Sequence, residues 1–430
     1  MNLDAPLVIV GGGQAAAQLC ERARRLGHRG PLTLVSDEPL LPYCRPPLSK
    51  QYLVGQHPPD WLLYRPASFY ERHGIETRLG RRVVSIERER HEVLLDDGAR
   101  LPYAGLGLAL GARVRRLGVP GDQHVCYLRG FDDVQRLRAA LIKARSVVVI
   151  GGGFIGLETA AVLVQTGRRV TLLASEATVL PRVGAPLAAF LQRRHTAAGV
   201  QLLTHCRVTE VRVHDGDAGF DVLTRDGGVH RGDVVIAGIG IVPNTELAQA
   251  AGLACDDGIL VDDCGRTSDP HITAAGDCTR HPNSLSVGPL RLETVHNAVE
   301  QARSAAAALC GRVDQPYRQA PWVWSDQYDL RLQSVGVFEA IDHTVQRGRP
   351  ESGAFSLLHF RAGRFVALEG VNRPGDFGVA RRLLNLGLGP TPAQAGDDAF
   401  DLLDLLPPKR PLVFETPWPH RHPGSHPTNA

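Results

Sequence analysis

Two short runs of small residues carry the first chemistry in this chain. Gly11-Gly12-Gly13-Gln14-Ala15-Ala16 follows the apolar run Leu7-Val8-Ile9-Val10, and Gly151-Gly152-Gly153-Phe154-Ile155-Gly156 follows Val147-Val148-Val149-Ile150. The patterns are G-x-G-x-x-A and G-x-G-x-x-G. In such a junction the first glycine, Gly11 or Gly151, allows a tight turn. The next, Gly13 or Gly153, lets a pyrophosphate approach the backbone, and the small residue Ala16 or Gly156 lets helix and strand pack closely. The helix start offers free N–H groups and a positive dipole end to phosphates. Ile155 lies in the second of these candidate sites.

An acid just beyond the next strand can hydrogen-bond ribose hydroxyls. Asp37 holds that place after Leu32-Thr33-Leu34-Val35. After Val170-Thr171-Leu172-Leu173 the residue is Ala174, then Ser175, which aligns with Asp37, then Glu176. Without an acid at Ala174, repulsion of a 2′-phosphate is weaker. No arginine follows at once to hold that phosphate: Arg182 is the nearest, and Arg168 and Arg169 precede the strand. These residues admit NADH or NADPH, with a slight lean to NADH.

The elements that must position these turns are strand, helix, strand, repeated. The first helix is expected over Ala17 to Leu26, ending at Gly27, and the second runs to about Gln165, with Gly167 as its stop. The fold class expected is α/β with two Rossmann-type dinucleotide-binding units.

A third motif runs Thr267-Ser268-Asp269-Pro270-His271-Ile272-Thr273-Ala274-Ala275-Gly276-Asp277-Cys278. It resembles the second FAD motif of two-dinucleotide flavoproteins, with Asp277 toward the ribityl chain or pyrophosphate. It lies beyond the second glycine turn, so the FAD domain must be split, with the NAD domain inserted. The expected boundaries are 1–110 and 235–315 for the FAD domain, and 111–234 for the NAD(P) domain. A C-terminal α+β cap domain takes 316–405, and a Pro/His-rich tail takes 406–430.

Bulk numbers agree with a multidomain enzyme. The chain has 430 residues, 43% hydrophobic and 22% charged, the composition of an ordinary globular protein. A net charge of +3 does not suggest a nucleic-acid binder. No apolar run approaches the roughly 18 residues of a membrane span. Met1 to Pro6 has no basic n-region, so a signal peptide is not expected. The eight cysteines contain no C-x-x-C, which fits reduced thiols in a cytoplasmic protein and not a disulfide framework or a metal site.

Further segments carry a family resemblance. Pro42-Tyr43-Cys44-Arg45-Pro46-Pro47-Leu48-Ser49-Lys50, with Tyr52-Leu53 after it, resembles the P-Y-x-R-P-P-L-S-K signature of FAD-dependent ferredoxin reductases of bacterial oxygenase systems, the putidaredoxin-reductase-like enzymes. Gly238 to Leu247, which includes Gly240 as a cofactor-binding candidate, also matches, as do Leu292 to Ala298 and Trp322-Val323-Trp324-Ser325-Asp326-Gln327-Tyr328. The resemblance spans about residues 5–405. It implies FAD contacts at Ala15, Asp37, Arg45, Lys50, Val83, Arg129, Asp277 and Val295. It also implies that Lys50 sits near flavin N5 and pairs with Glu158, beside the nicotinamide. Some relatives carry Trp where Val295 stands, and Leu110 replaces the usual Thr of a crossover motif.

The implied activity is hydride transfer from NADH (NADPH possible) to FAD, then single electrons to a 2Fe-2S ferredoxin that feeds an oxygenase. Ferredoxins are usually acidic, so a basic docking face is expected, with Arg303, Arg381 and Arg382 as candidates. Trp322 and Trp324 either line the route out of the flavin pocket or anchor the cap domain. The rival readings are an NAD(P)H oxidase or disulfide reductase using Cys44, and a redox-sensing flavoprotein. The tail with His420, His422 and His426 is expected to be disordered and free of metal.

Overall fold

Leu7–Val10 is buried at all four positions, as a strand must be inside a parallel sheet covered on both faces. The computed structural model describes residues 3–214 and 219–408; the expected tail lies almost wholly outside them. The first sheet runs Ile272–Ala274, Gly105–Leu108, Leu7–Val10, Leu32–Ser36, Ile75–Leu79, with every neighbouring pair parallel. Its edge strand Ile272–Ala274 comes from far beyond the second glycine turn, so this unit is discontinuous in sequence.

The second sheet repeats the plan. Its order is Gln201–Leu203, Arg169–Leu173, Ser146–Ile150, Val234–Ala237, Cys126–Tyr127, again all parallel. The expected boundary between 234 and 235 cuts through one of these strands. Val234–Ala237 is buried throughout and pairs with Ser146–Ile150, so the second unit reaches Ala237. The boundary near 110 is also not sharp. Ala112–Val114 and Ile241–Pro243, the outgoing and returning crossings between the units, pair antiparallel as a two-stranded ribbon.

Each glycine turn opens a helix. The first is Gln14–Arg25, capped by Gly13, and so begins at Gln14 and not at the expected Ala17; Gly27 follows it at φ +91°. Arg22, Arg24 and Arg25 fill its last turn, where positive charge offsets the helix dipole. The second is Phe154–Gln165. The long helix Val295–Leu309, capped by the Thr294 side chain, packs against the first. Ala298, Ala302, Ala305 and Ala306 share a buried cluster with Ala15, Ala16 and Ala23, and side chains this small let the helix axes approach closely.

The C-terminal part is an antiparallel sheet in the order Trp322–Gln327, Leu330–Gly336, Arg364–Val371, Ala354–Arg361, His343–Arg349. Helix Pro374–Asn385 buries Phe377, Ala380, Leu383 and Leu384 in a cluster with Val335, Phe360 and Leu368. The architecture is two Rossmann-type domains, the first interrupted by the second, with an α+β cap. No described helix is long and apolar enough to cross a membrane.

Candidate active site

The two glycine turns have nearly the same backbone. Gly11 has φ +135°, and a Cβ there would lie 2.1 Å from the Ala109 carbonyl oxygen; Gly151 has φ +115°, and its Cβ would lie 2.3 Å from that of Gly238. Only glycine fits such positions. Gly13 and Gly153 are the opposite case. A Cβ at Gly13 would meet nothing within 4 Å, and one at Gly153 only the Gly238 oxygen at 3.9 Å. Both are helix N-caps, and neither supplies a side chain to the first-turn amides. Unfilled space before unsatisfied helix N–H groups fits a pyrophosphate in each turn.

Around the first turn, three distant segments meet. Arg129 Nη2 donates to Asp277 Oδ2 at 2.9 Å, and Arg129 Nε donates to the Ala112 carbonyl at 2.8 Å. Arg45 donates to the Arg129 carbonyl at 3.0 Å and to the Tyr43 hydroxyl at 3.1 Å, and it forms an ion pair with Glu38. Glu38 also accepts from the Tyr43 hydroxyl at 2.5 Å. Sequence reasoning missed Glu38, although it adjoins the expected acid. Asp37 itself is 57% exposed at its side chain, with Arg82 Nη2 3.8 Å away. Val83 is buried with Val8, Val10 and Val35. Val295 opens the long helix, and Gly240 takes φ +100° beside the ribbon.

Lys50 and Glu158 meet between the units. Lys50 Nζ lies 3.1 Å from Glu158 Oε1, and both side chains are buried. Lys50 follows a short 3-10 helix, Pro46–Ser49, in the first unit, while Glu158 stands in the first turns of the second glycine-turn helix. Ser49 Oγ donates to Glu158 Oε2 at 2.8 Å, and Ser325 Oγ of the C-terminal sheet donates to Oε1 at 2.6 Å. Neither serine was singled out from sequence. The available signal was strand alternation, which puts Ser325 and Gln327 on one face of Trp322–Gln327 and buries both. A buried carboxylate with two hydroxyl donors and an adjacent ammonium is a satisfied ion pair.

Residues 5–302 match the pyridine nucleotide-disulphide oxidoreductase family, and 322–406 match the reductase C-terminal domain. The chain belongs to the pyridine nucleotide-disulphide oxidoreductase family. It is 44% identical over 410 residues to the ferredoxin–NAD(+) reductase component of the anthranilate 1,2-dioxygenase system of Burkholderia cepacia, covering 94% of this chain and 100% of that one. It is 41% identical over 399 residues to rhodocoxin reductase of Rhodococcus erythropolis, covering 92% and 93%. Its fold superimposes on the covalent putidaredoxin reductase–putidaredoxin complex with a TM-score of 0.90 at 39% identity, covering 94% and 98%. The protein is an oxidoreductase of this family, whose members use FAD and a nicotinamide dinucleotide.

Within this family the thiols stand out by what they do not do. All eight cysteines are free. Burial pushes the Cys44 thiol up, against smaller opposing effects of Tyr64 and Lys50, and burial pushes Cys278, beside Asp277, up to about 12. Neither is poised as a thiolate. At the second turn, Ile155, Ser175 and Glu176 are exposed. On the cap, Trp322 packs against His296 at 5.4 Å, Trp324 at 5.6 Å and Phe377 at 5.8 Å. Arg381 lies over the Trp322 ring at 5.9 Å, and Arg303 pairs with Glu300 at 2.5 Å. Arg382 is exposed nearby on the same helix.

Proposed function

We propose that this protein carries electrons from NADH through FAD to a 2Fe-2S ferredoxin that serves an oxygenase. The first unit, 1–110 with 238–315, would hold FAD through Gly11, Gly13, Ala15, Ala16, Asp37, Arg45, Val83, Asp277 and Val295, with Arg129 reaching across from the second unit. The second unit, 111–237, would hold the nicotinamide dinucleotide through Gly151, Gly153, Ile155, Gly156, Ser175 and Glu176. Gly240 sits where the ribbon passes between them. The observation that carries this reading is the buried Lys50–Glu158 pair, which joins the two glycine-turn units at one point.

FAD, when bound, supplies the hydride acceptor and releases electrons singly. Lys50 would offer its ammonium to negative charge gained on reduction, and Glu158 would hold that ammonium in place. The buried setting strengthens both effects, because few waters compete. Glu176 is an exposed acid just past the second strand, and it favours NADH by repelling a 2′-phosphate.

An acidic iron–sulfur partner suits the Trp322 side of the cap. Burial lowers the His296 pKa, against opposing effects of Gln319 and Glu300, with Arg381 and Arg303 lowering it too, so two guanidinium groups, one of them paired with Glu300, share this edge with the imidazole. Arg303, Arg381 and Arg382 are the proposed docking residues. The raised Cys44 thiol argues against a thiol relay, and the unpaired cysteines fit the cytoplasm.

The reading is tested by reconstituting the protein with FAD and comparing steady-state reduction of a 2Fe-2S ferredoxin with NADH and with NADPH. Ferredoxin reduction dependent on NADH supports it. Turnover confined to oxygen or a disulfide would overturn it.

A further inference from the structure

We propose that Ser325, oriented by Gln327 and His195, is a positioning residue for the Lys50–Glu158 pair, so that the C-terminal sheet sets the rate of flavin reduction. This rests on the functional reading above and extends it to residues outside both dinucleotide units.

A single hydrogen-bonded chain ends on Glu158. A carboxylate can only accept, so the Ser325 hydroxyl must give it its proton, at 2.6 Å. Ser325 Oγ then accepts from Gln327 Nε2 at 3.1 Å. That leaves Gln327 Oε1 facing His195 Nε2 at 2.9 Å, so Nε2 carries the imidazole hydrogen. His195 Nδ1 must therefore accept, and the Tyr328 hydroxyl lies 3.0 Å away to donate. Every donor points the same way, toward Glu158. The acceptor-only carboxylate selects this direction over its reverse, in which Ser325 would turn its proton away.

The surroundings hold the chain in one arrangement. Ser325, Gln327 and His195 are at most 1% exposed, so water is not at hand to replace a lost partner. Burial lowers the His195 pKa, the direction that the neutral imidazole of this chain requires. Tyr328 takes φ +57°, a conformation a tyrosine rarely adopts. There its ring meets Arg194 at 4.6 Å, and Arg194 pairs with Asp329 at 2.8 Å. The hairpin turn after Trp322–Gln327 is thus fastened to the end of helix Ala185–Ala197 of the second unit. The outcome is a Glu158 oxygen shared between a fixed serine and Lys50.

The test is stopped-flow reduction of FAD-loaded protein by NADH, read as a limiting rate constant and an apparent Kd. Ser325→Ala is expected to slow the limiting rate about tenfold, the scale of losing one hydrogen bond to a charged group. The Kd for NADH should stay within about twofold, and Ser325→Thr should restore most of the rate. Tyr328→Phe should act in the same sense by about twofold to threefold. Wild-type rates in Ser325→Ala, or a loss that Ser325→Thr does not rescue, would overturn the inference while the functional reading stands. A wild-type flavin that NADH does not bleach would overturn both.

Discussion

The two glycine turns share a backbone and differ in what closes over them. Ala15 in the first is 7% exposed, and a Cβ on Gly276 would lie 3.2 Å from its methyl. The Gly276-Asp277 segment therefore folds down onto the first turn, and Arg129 and Arg45 brace it from two other stretches of chain. Ile155, at the equivalent place in the second turn, is 43% exposed. Ser175 and Glu176 are exposed beyond it. One turn is built into the molecule from several sides, as suits a cofactor kept through many turnovers. The other opens outward, as suits a dinucleotide that must arrive and leave. The sixth positions differ too: a Cβ at Gly156 would lie 1.9 Å from the Gly151 oxygen, whereas the first turn tolerates Ala16 with its methyl fully buried.

The sharpest way to break this contrast is to block each turn in turn. Gly151→Val adds a side chain against the Gly238 backbone at a left-handed φ. Reduction of FAD by NADH should slow by roughly 100-fold while FAD content and dithionite reduction persist. Gly11→Val should instead lose FAD on gel filtration and destabilise the first unit by about 2 kcal/mol or more. Equal FAD loss in both variants would end the distinction.

A smaller change tests the open face of the second turn. Ser175→Arg combined with Glu176→Ala removes an acid and adds a phosphate-binding guanidinium. The kcat/KM ratio of NADPH to NADH should rise about tenfold, with FAD content unchanged. A loss of FAD would tie Ser175 and Glu176 to the wrong cofactor.

Two buried histidines compare the regions by stability. His281 supports the first unit through Asn297 at 3.1 Å, and His195 joins the second unit to the cap. Burial lowers both imidazole pKa values. A lowered folded pKa means that the unfolded chain binds protons more readily. The stability due to these groups is therefore complete above about pH 6.5 and is lost as pH falls below it. Thermal melts should show Tm falling between pH 6.5 and 5, with a flatter slope in His281→Gln. The smallest effect is expected at Cys44. Its thiol is pushed up by burial, so Cys44→Ser should leave turnover within about twofold. A large loss would revive a thiol relay.

Much of this was legible in the chain, because the chemistry of a glycine turn is local. Gly11 and Gly151 take left-handed φ values within the turn itself, and Gly13 and Gly153 cap the helix that follows at once. The split of the first unit followed from the order of three motifs. The boundary at 234 did not, since a buried strand such as Val234–Ala237 has the same composition whichever sheet it joins. Glu38 was hidden by its neighbour Asp37, for both fit an acid past the second strand. Ser325, Gln327 and His195 were not legible as a group. Ser325 meets Glu158, and Gln327 meets His195, each across more than a hundred residues of chain, and polar residues in a strand carry no mark of what they will face.

The most direct test of the central claim is double-mixing stopped flow. FAD-loaded protein is first reduced with one equivalent of NADH, then mixed with oxidised 2Fe-2S ferredoxin. The flavin band should bleach in the first step and return in the second as the ferredoxin is reduced. A flavin that NADH leaves oxidised, or one that stays reduced in the presence of ferredoxin, would contradict the account.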